Sequence, residues 1–371
     1  MPEKYLHIVS FNIPYPPDYG GIVDIYYKIL HLSEAGVKII LHCFSYGRQP
    51  SKELEGLCFK VYYYKRKTGL KYYLSKTPYI ISTRTSNIIP EHLLKDPFPV
   101  LFEGLHSTDM MEKCKQARKK VLFRAHNIEH EYYRLLARSE KSIFKKIFFL
   151  TEAHKLKNYE PVLSSADQIL CISRNELEYY NEKFGNAIHI PAFHKNRKLQ
   201  INPGIGTYIL YHGNLSVSEN IEAVKYITRK IVAKTDYRFI IAGKNPSTSL
   251  KRWLGNYRKT EIIANPDEET LDSLISNAHI NILFTFQPTG LKLKLLHSLL
   301  NGRHCLVNPE MVKGSGLEEI CHVVSGPEQA IRMINLLMNK AFDEEDIEQR
   351  KAGLRDYANR INAEKIIRLI N

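Results

Sequence analysis

Short apolar, β-branched runs alternate with helix-period segments along almost the whole chain. The runs predict strands at Leu6–Phe11, Lys38–Phe44, Phe59–Tyr63, Val100–Glu103, Val121–Arg124, Gln168–Ile172 and Ala187–Ile190. Between them the spacing predicts helices, among them Ile22–Leu32, Glu129–Leu136, Ile143–Leu163 and Asn175–Phe184. A second series starts at Tyr208–Tyr211 and continues through Phe239–Ile241, Glu261–Ile263, Ile280–Phe284 and Leu306–Val307. Near-continuous apolar strands alternating with helices indicate parallel sheets buried on both faces. The polar, Pro/Gly-containing stretch His194–Thr207 breaks the pattern and reads as a linker. The predicted class is α/β, two doubly wound Rossmann-like domains facing across a cleft: 1–195, then 205–345, with 346–371 a charged helix whose apolar end must dock on some surface. Ligands of such sheets bind outside the carboxyl ends of the strands.

Composition narrows the partners. The 371 residues are 44% apolar and 25% charged, which excludes disorder, and suit two domains. Fifty-three Lys+Arg against 39 Asp+Glu give a net charge of +14, so the expected partner is anionic. The basic residues spread over both halves and no nucleic-acid-binding module is visible, which argues against nucleic acid. Six scattered cysteines without a C-x-x-C pair read as buried, reduced thiols. MPEKYLHIVSF has no signal-peptide pattern, and no window approaches a membrane span, so the expectation is a cytoplasmic protein.

Candidate chemistry gathers at predicted strand ends. After the first strand, PYPPDYGG places Gly20 and Gly21 at a helix start, where the backbone approaches a ligand closely and amides favour an anion; an ordinary strand–helix loop would read the same. FRAHNIEHE clusters Arg124, His126, Asn127 and Glu129 at another strand end, suited to hydrogen-bonding sugar hydroxyls; either His126 or Asn127 could simply cap the helix. Glu103 and His106 occupy a third. In the second half, Gly213 and Asn214 turn into a helix carrying Asn220, and IAGKNP brings Lys244. Thr289–Asn308 (TGLKLKLLHSLLNGRHCLVN) reads as a glycine turn at Gly290, a helix start with Lys292 and Lys294, a stop at Gly302 and a buried strand. Amides plus lysines at a helix N-terminus suit a diphosphate. Lys292 and Lys294, two apart, cannot share one helix face, so one reaches the phosphates and the other is solvated. DEED at 343–346 reads as a solvated helix start rather than a metal site.

Two basic aromatic stretches remain. Lys60–Lys76 holds six basic residues, five tyrosines and no acid. In SIFKKIFFL, Ile143, Phe144, Ile147 and Phe148 form one stripe. Either suits an anionic membrane surface; for the first, a solvated loop is an equal alternative, and for the second the favoured reading is a helix packed on its sheet.

These motifs resemble those of family-4-type glycosyltransferases of the GT-B class, over nearly the whole chain. Gly20–Gly21 match that family's Pro…Gly-Gly loop, and Arg124, His126, Asn127 and Glu129 its Arg-x-His-Asn-x-Glu phrase. Gly290, Lys292 and Lys294 match Gly-x-Arg/Lys-x-Lys-x-x-Glu, and GSGL at 314–317 a later glycine turn. Thr289 and His297 stand where the family places two glutamates, the second of which holds the donor ribose. The resemblance implies retaining, metal-independent transfer of a hexose-type sugar from a nucleotide-sugar donor to a saccharide or lipid-linked saccharide, in surface polysaccharide synthesis, with no cofactor. It implies His126 and Glu129 at the transferred sugar, and a C-terminal helix, 346–371, that crosses back to the first domain. The donor would meet Gly20, Gly21, Gly213, Asn214, Lys244, Gly290, Lys292, Lys294 and His297, and the acceptor Glu103, Arg124 and Asn127. The missing glutamates leave a second reading open: a weakened or inactive relative that binds a nucleotide-sugar or a partner. The expected site of action is the cytoplasm, peripheral to the inner face of the plasma membrane.

Overall fold

A computed structural model describes residues 3–196, 198–286 and 293–371. The chain divides into two compact units, Met1–Lys195 with Asn359–Asn371, and Asn196–Ala358.

In the first unit, β1 (Lys4–Ser10), β2 (Val37–Ser45), β3 (Lys60–Lys65), β4 (Val100–Glu103), β5 (Val121–Ala125), β6 (Gln168–Cys171) and β7 (Ala187–His189) form one parallel sheet. Its order is β3-β2-β1-β4-β5-β6-β7. Alternation within each strand fills both faces. Leu6, Ile8, Leu101 and Leu122 meet helix Gly20–Glu34 on one side, while Val9, Phe102, Val121 and Phe123 pack on the other. The strand order reverses between β1 and β4, so their carboxyl ends open the crevice where such sheets bind ligands.

The second unit repeats the plan. Strands β8 (Tyr208–Asn214), β9 (Arg238–Lys244), β10 (Thr260–Ala264), β11 (Ile280–Leu283), β12 (His304–Val307) and β13 (His322–Val323) pair in parallel. The order is β10-β9-β8-β11-β12-β13, with the reversal between β8 and β11. The two doubly wound sheets agree with the predicted class. Strand β13 has no counterpart in the apolar pattern, because its two residues, a His and a Val, make no run.

The C-terminal helix Asn359–Leu369 lays Ala363 and Ile366 into the core beside helix Gly20–Glu34. Residues 346–358, grouped with it in the sequence reading, belong instead to the second unit. Arg350 accounts for this: its guanidinium is buried and donates to the carbonyls of Leu299, Gly302 and Arg303. The stretch 196–204 also joins the second unit, pairing Gly204 with Phe342 and Gln200 with Leu300 through backbone hydrogen bonds. The six cysteines are free thiols, five of them buried.

Candidate functional site

The first unit's crevice is built around a buried charge network. Helix Gly20–Glu34 carries Asp24 and Lys28 one turn apart, and both face the sheet rather than solvent. Lys28 Nζ donates to Asp24 at 2.8 Å and to both Glu103 oxygens at 2.7 and 3.0 Å. Arg124 grips Asp24 through Nε and a terminal nitrogen at 3.0 and 2.8 Å, and donates onward to the carbonyls of Ile190 and Pro191. Burial alone would raise the Asp24 carboxyl; Arg124 and Lys28 outweigh it and hold Asp24 far below the usual carboxylate range. Two acids against two bases make the cluster nearly neutral, which is what lets it sit out of water.

His126 stands on this network. Its Nε2 lies 3.0 Å from Glu103 Oε2. Burial pushes the Glu103 carboxyl up, but Lys28 and the His126 contact bring it below its ordinary value, so it is an acceptor. In the neutral ring, an Nε2–H donating to that carboxylate leaves Nδ1 as the acceptor. Nδ1 faces the start of helix Gly20–Glu34: a Cβ on Gly21 would sit 3.6 Å from it and 3.0 Å from the Phe11 ring. The Tyr19 side chain at its N-cap makes no capping hydrogen bond, and its first turn holds no acid. The crevice therefore sets an oriented imidazole acceptor beside uncapped backbone donors, a combination that takes a hydroxyl and an anion together.

Glu129 has a different setting. It opens helix Glu129–Ser139, is almost fully buried, and its Oε1 has no hydrogen-bond partner. His106 Nδ1 is 3.9 Å away and likewise unpartnered. Burial, only partly offset by the Asn127 side chain and Arg84, raises the Glu129 carboxyl to about 8. Burial and Arg84 push the His106 imidazole well down. At neutral pH this is a protonated acid beside a neutral ring. The carboxylate that orients His126 is Glu103, not Glu129.

The expected acceptor residues separate. Asn127 remains half-buried at the rim. Arg124 has no exposed surface, and Asp24 with two carbonyls takes its donors. It is therefore held inside the network, with no surface turned toward the acceptor that the sequence reading gave it; Glu103, equally buried, bonds Lys28 and His126. Asp24, Glu103 and His126 each offer a ligand atom within 4.8 Å of one another, the spacing of a metal site. The Lys28 ammonium bonds both carboxylates there, so a metal would have to displace it.

In the second unit, Gly213, Asn214 and Lys294 meet around Asn220. Asn220 donates to the Asn214 carbonyl at 2.9 Å and accepts from Lys294 at 3.0 Å and Tyr211 at 3.0 Å. Lys294, on helix Leu293–Asn301, also lies 5.0 Å over the Tyr211 ring. Lys244 projects from the next strand end and is exposed. Gly243 owes its identity to packing, because a Cβ there would come within 2.0 Å of the Gly213 carbonyl. His297 leaves this group: its Nε2 is 2.6 Å from Asp272 of helix Glu268–Asn277, and its ring meets His212 edge-on. Thr289, Gly290 and Lys292 lie outside the described residues.

Asp24, Lys28 and Asp272 escaped the sequence reading. For the first two a signal existed: an acid and a base four apart, beside the apolar stripe of Ile22, Ile25, Ile29 and Leu32. Asp272 offered none.

The chain is 30% identical over 314 residues to an uncharacterized 44.6 kDa protein in the cps region of Klebsiella pneumoniae, covering 79% of this chain and 80% of that protein. The chain belongs to that protein's family. No family model matches it. Among solved structures it is similar to a glycosyltransferase from Rickettsia africae (TM-score 0.64, 14% identity, 99% of this chain and 98% of that one). A UDP-forming trehalose-phosphate synthase from Burkholderia xenovorans, in complex with glucose-6-phosphate, aligns at TM-score 0.62 and 10% identity, over 98% and 99% of the two chains. Anabaena HepE in complex with UDP and glucose aligns at TM-score 0.59 and 10% identity, over 97% and 94%. The fold is therefore GT-B, that of glycosyltransferases.

Proposed function

We propose that the protein transfers a hexose-type sugar from a nucleotide-sugar to a saccharide or lipid-linked saccharide during surface polysaccharide synthesis, with retention and without a metal. The observation that carries this reading is His126, oriented by Glu103 on a buried lysine and presenting an acceptor nitrogen beside the uncapped helix start at Gly20–Gly21. The cps-region relative and the fold shared with HepE in complex with UDP and glucose support it. Lys294 and Lys244, with Gly213 and Asn214, meet the diphosphate; His126 holds a hydroxyl of the transferred sugar. The reaction takes place in the cytoplasm at the inner face of the membrane.

One observation favours a second reading. Where the resembled family grips the ribose with a glutamate, His297 is committed to Asp272. A relative that binds a nucleotide-sugar without turning it over would tolerate that change. Titration with UDP, GDP and TDP compounds, followed by thermal unfolding, tests the pair. A ligand at a hundred times its Kd stabilises by about 2.7 kcal/mol. No shift with any of them at millimolar concentration refutes nucleotide-sugar binding altogether. Binding without transfer or hydrolysis across a donor panel selects the inactive relative.

A further inference from the structure

The first half of helix Ile143–Tyr159 does not pack on the sheet, contrary to the reading favoured from its sequence. Ala153 and Leu156 anchor its second half, while Ile143, Phe144 and Ile147 are 60, 82 and 55% exposed. Helix Leu70–Tyr73 and the residue after it add Leu70 at 81% and Leu74 at 87%. The two segments are one surface. Tyr73 stacks on Tyr79 at 4.3 Å and meets the Phe148 ring edge-on at 5.3 Å, and Lys155 donates to the Tyr73 carbonyl. Solvent-facing side chains of this size in one place mark an interaction surface.

Charge selects the occupant. Residues 65–76 contain five basic side chains and residues 141–151 three, with no Asp or Glu in either. Lys71, Lys76, Lys141, Lys145 and Lys146 are exposed. Lys145 and Lys146 are exposed on the same helical turn as Phe144 and Ile147, on the far side of the apolar stripe, from which their long stems reach an interface. The centre of a protein–protein interface is depleted of lysine, whereas lysines around exposed Phe and Leu are what an anionic headgroup layer over acyl chains requires. Among the described residues no helix is long and apolar enough to cross a membrane, so this surface would rest on a bilayer rather than span it. We propose that the face formed by Leu70–Leu74 and Ile143–Leu150 docks on an anionic lipid surface, its apolar side chains entering the acyl boundary and its lysines meeting the headgroups.

This deepens the lipid-linked part of the proposed function and rests on none of its donor chemistry. Nucleotide titrations run without lipid, so the two fail separately. The full chain is sedimented with vesicles of phosphatidylcholine alone and of equal parts phosphatidylcholine and phosphatidylglycerol. It should bind the anionic vesicles, not the neutral ones, and lose binding as salt rises. Lys145→Glu with Lys146→Glu should weaken binding by about fivefold per lysine or more. Leu74→Ser with Phe144→Ser should weaken it at least as much while leaving circular dichroism and thermal unfolding unchanged, since both side chains are exposed. Equal binding to both vesicles, or a serine variant that binds like the parent, overturns the proposal. So does failure to bind lipid together with a dimer, seen by light scattering, that the serine pair converts to monomer; a second copy would then cover this face.

Discussion

Glu129→Gln isolates the least expected group in the first crevice. The native carboxyl is buried, half-satisfied and titrates near 8, against an ordinary value of 4.5. Between those two values the folded chain holds a proton that the unfolded chain has released. Stability then falls as pH rises, since the slope follows the protons bound by the unfolded state minus those bound by the folded one. Each pH unit in that window costs about 1.4 kcal/mol, so Glu129 removes about 3 kcal/mol by pH 7. Glutamine has the same shape, no titration, and an amide that can donate toward His106. The variant should match the parent near pH 4.5, below the window, and exceed it by about 3 kcal/mol at pH 7. Urea unfolding at steps from pH 5 to pH 8 reads this directly. Parallel pH profiles for parent and variant would refute the reasoning and leave Glu129 ionised in the fold. A variant less stable at every pH would show that the carboxyl has a partner the buried geometry lacks.

Two further outcomes follow from other packing and charge. Ile366→Ala, removing a fully buried side chain of the C-terminal helix, should cost about 2–5 kcal/mol, and protease should then cut the first unit before the second; uniform cleavage would contradict the division into units. His297→Glu should tighten nucleotide diphosphate binding about fivefold if residue 297 stands at the ribose, the gain of a charge-assisted hydrogen bond over a neutral one. It should also cost up to about 1 kcal/mol by facing partly exposed Asp272. Unchanged or weaker affinity by calorimetry removes 297 from the ribose.

Much of the scaffold was legible because buried parallel strands write long apolar runs. Val100–Glu103 is bounded in the structure as its sequence pattern bounds it. That Gly21, Glu103 and His126 lie near one another was also readable, since each ends, follows or opens an element whose end the pattern locates. What each residue does there was not. Arg124 and Glu103 look like ligand-facing groups in one dimension; only their long-range pairing with Asp24 and Lys28, 100 and 75 residues away, turns them inward. Helix Ile143–Tyr159 misled for the opposite reason: a stripe of Ile and Phe predicts burial, but nothing in its own sequence states whether a partner surface exists within the chain.

The return of Asn359–Asn371 to the first unit has a consequence for biosynthesis. Translation delivers the seven-stranded sheet early, yet the helix that joins its core beside helix Gly20–Glu34 emerges only after the entire second unit. During that interval the buried cluster that holds Ile25 and Ile29 lacks Ala363 and Ile366. A ribosome-stalled chain ending before Asn359 should therefore engage chaperones and resist release in native form. Truncation before Asn359 should destabilise the first unit, although the cut falls after the second.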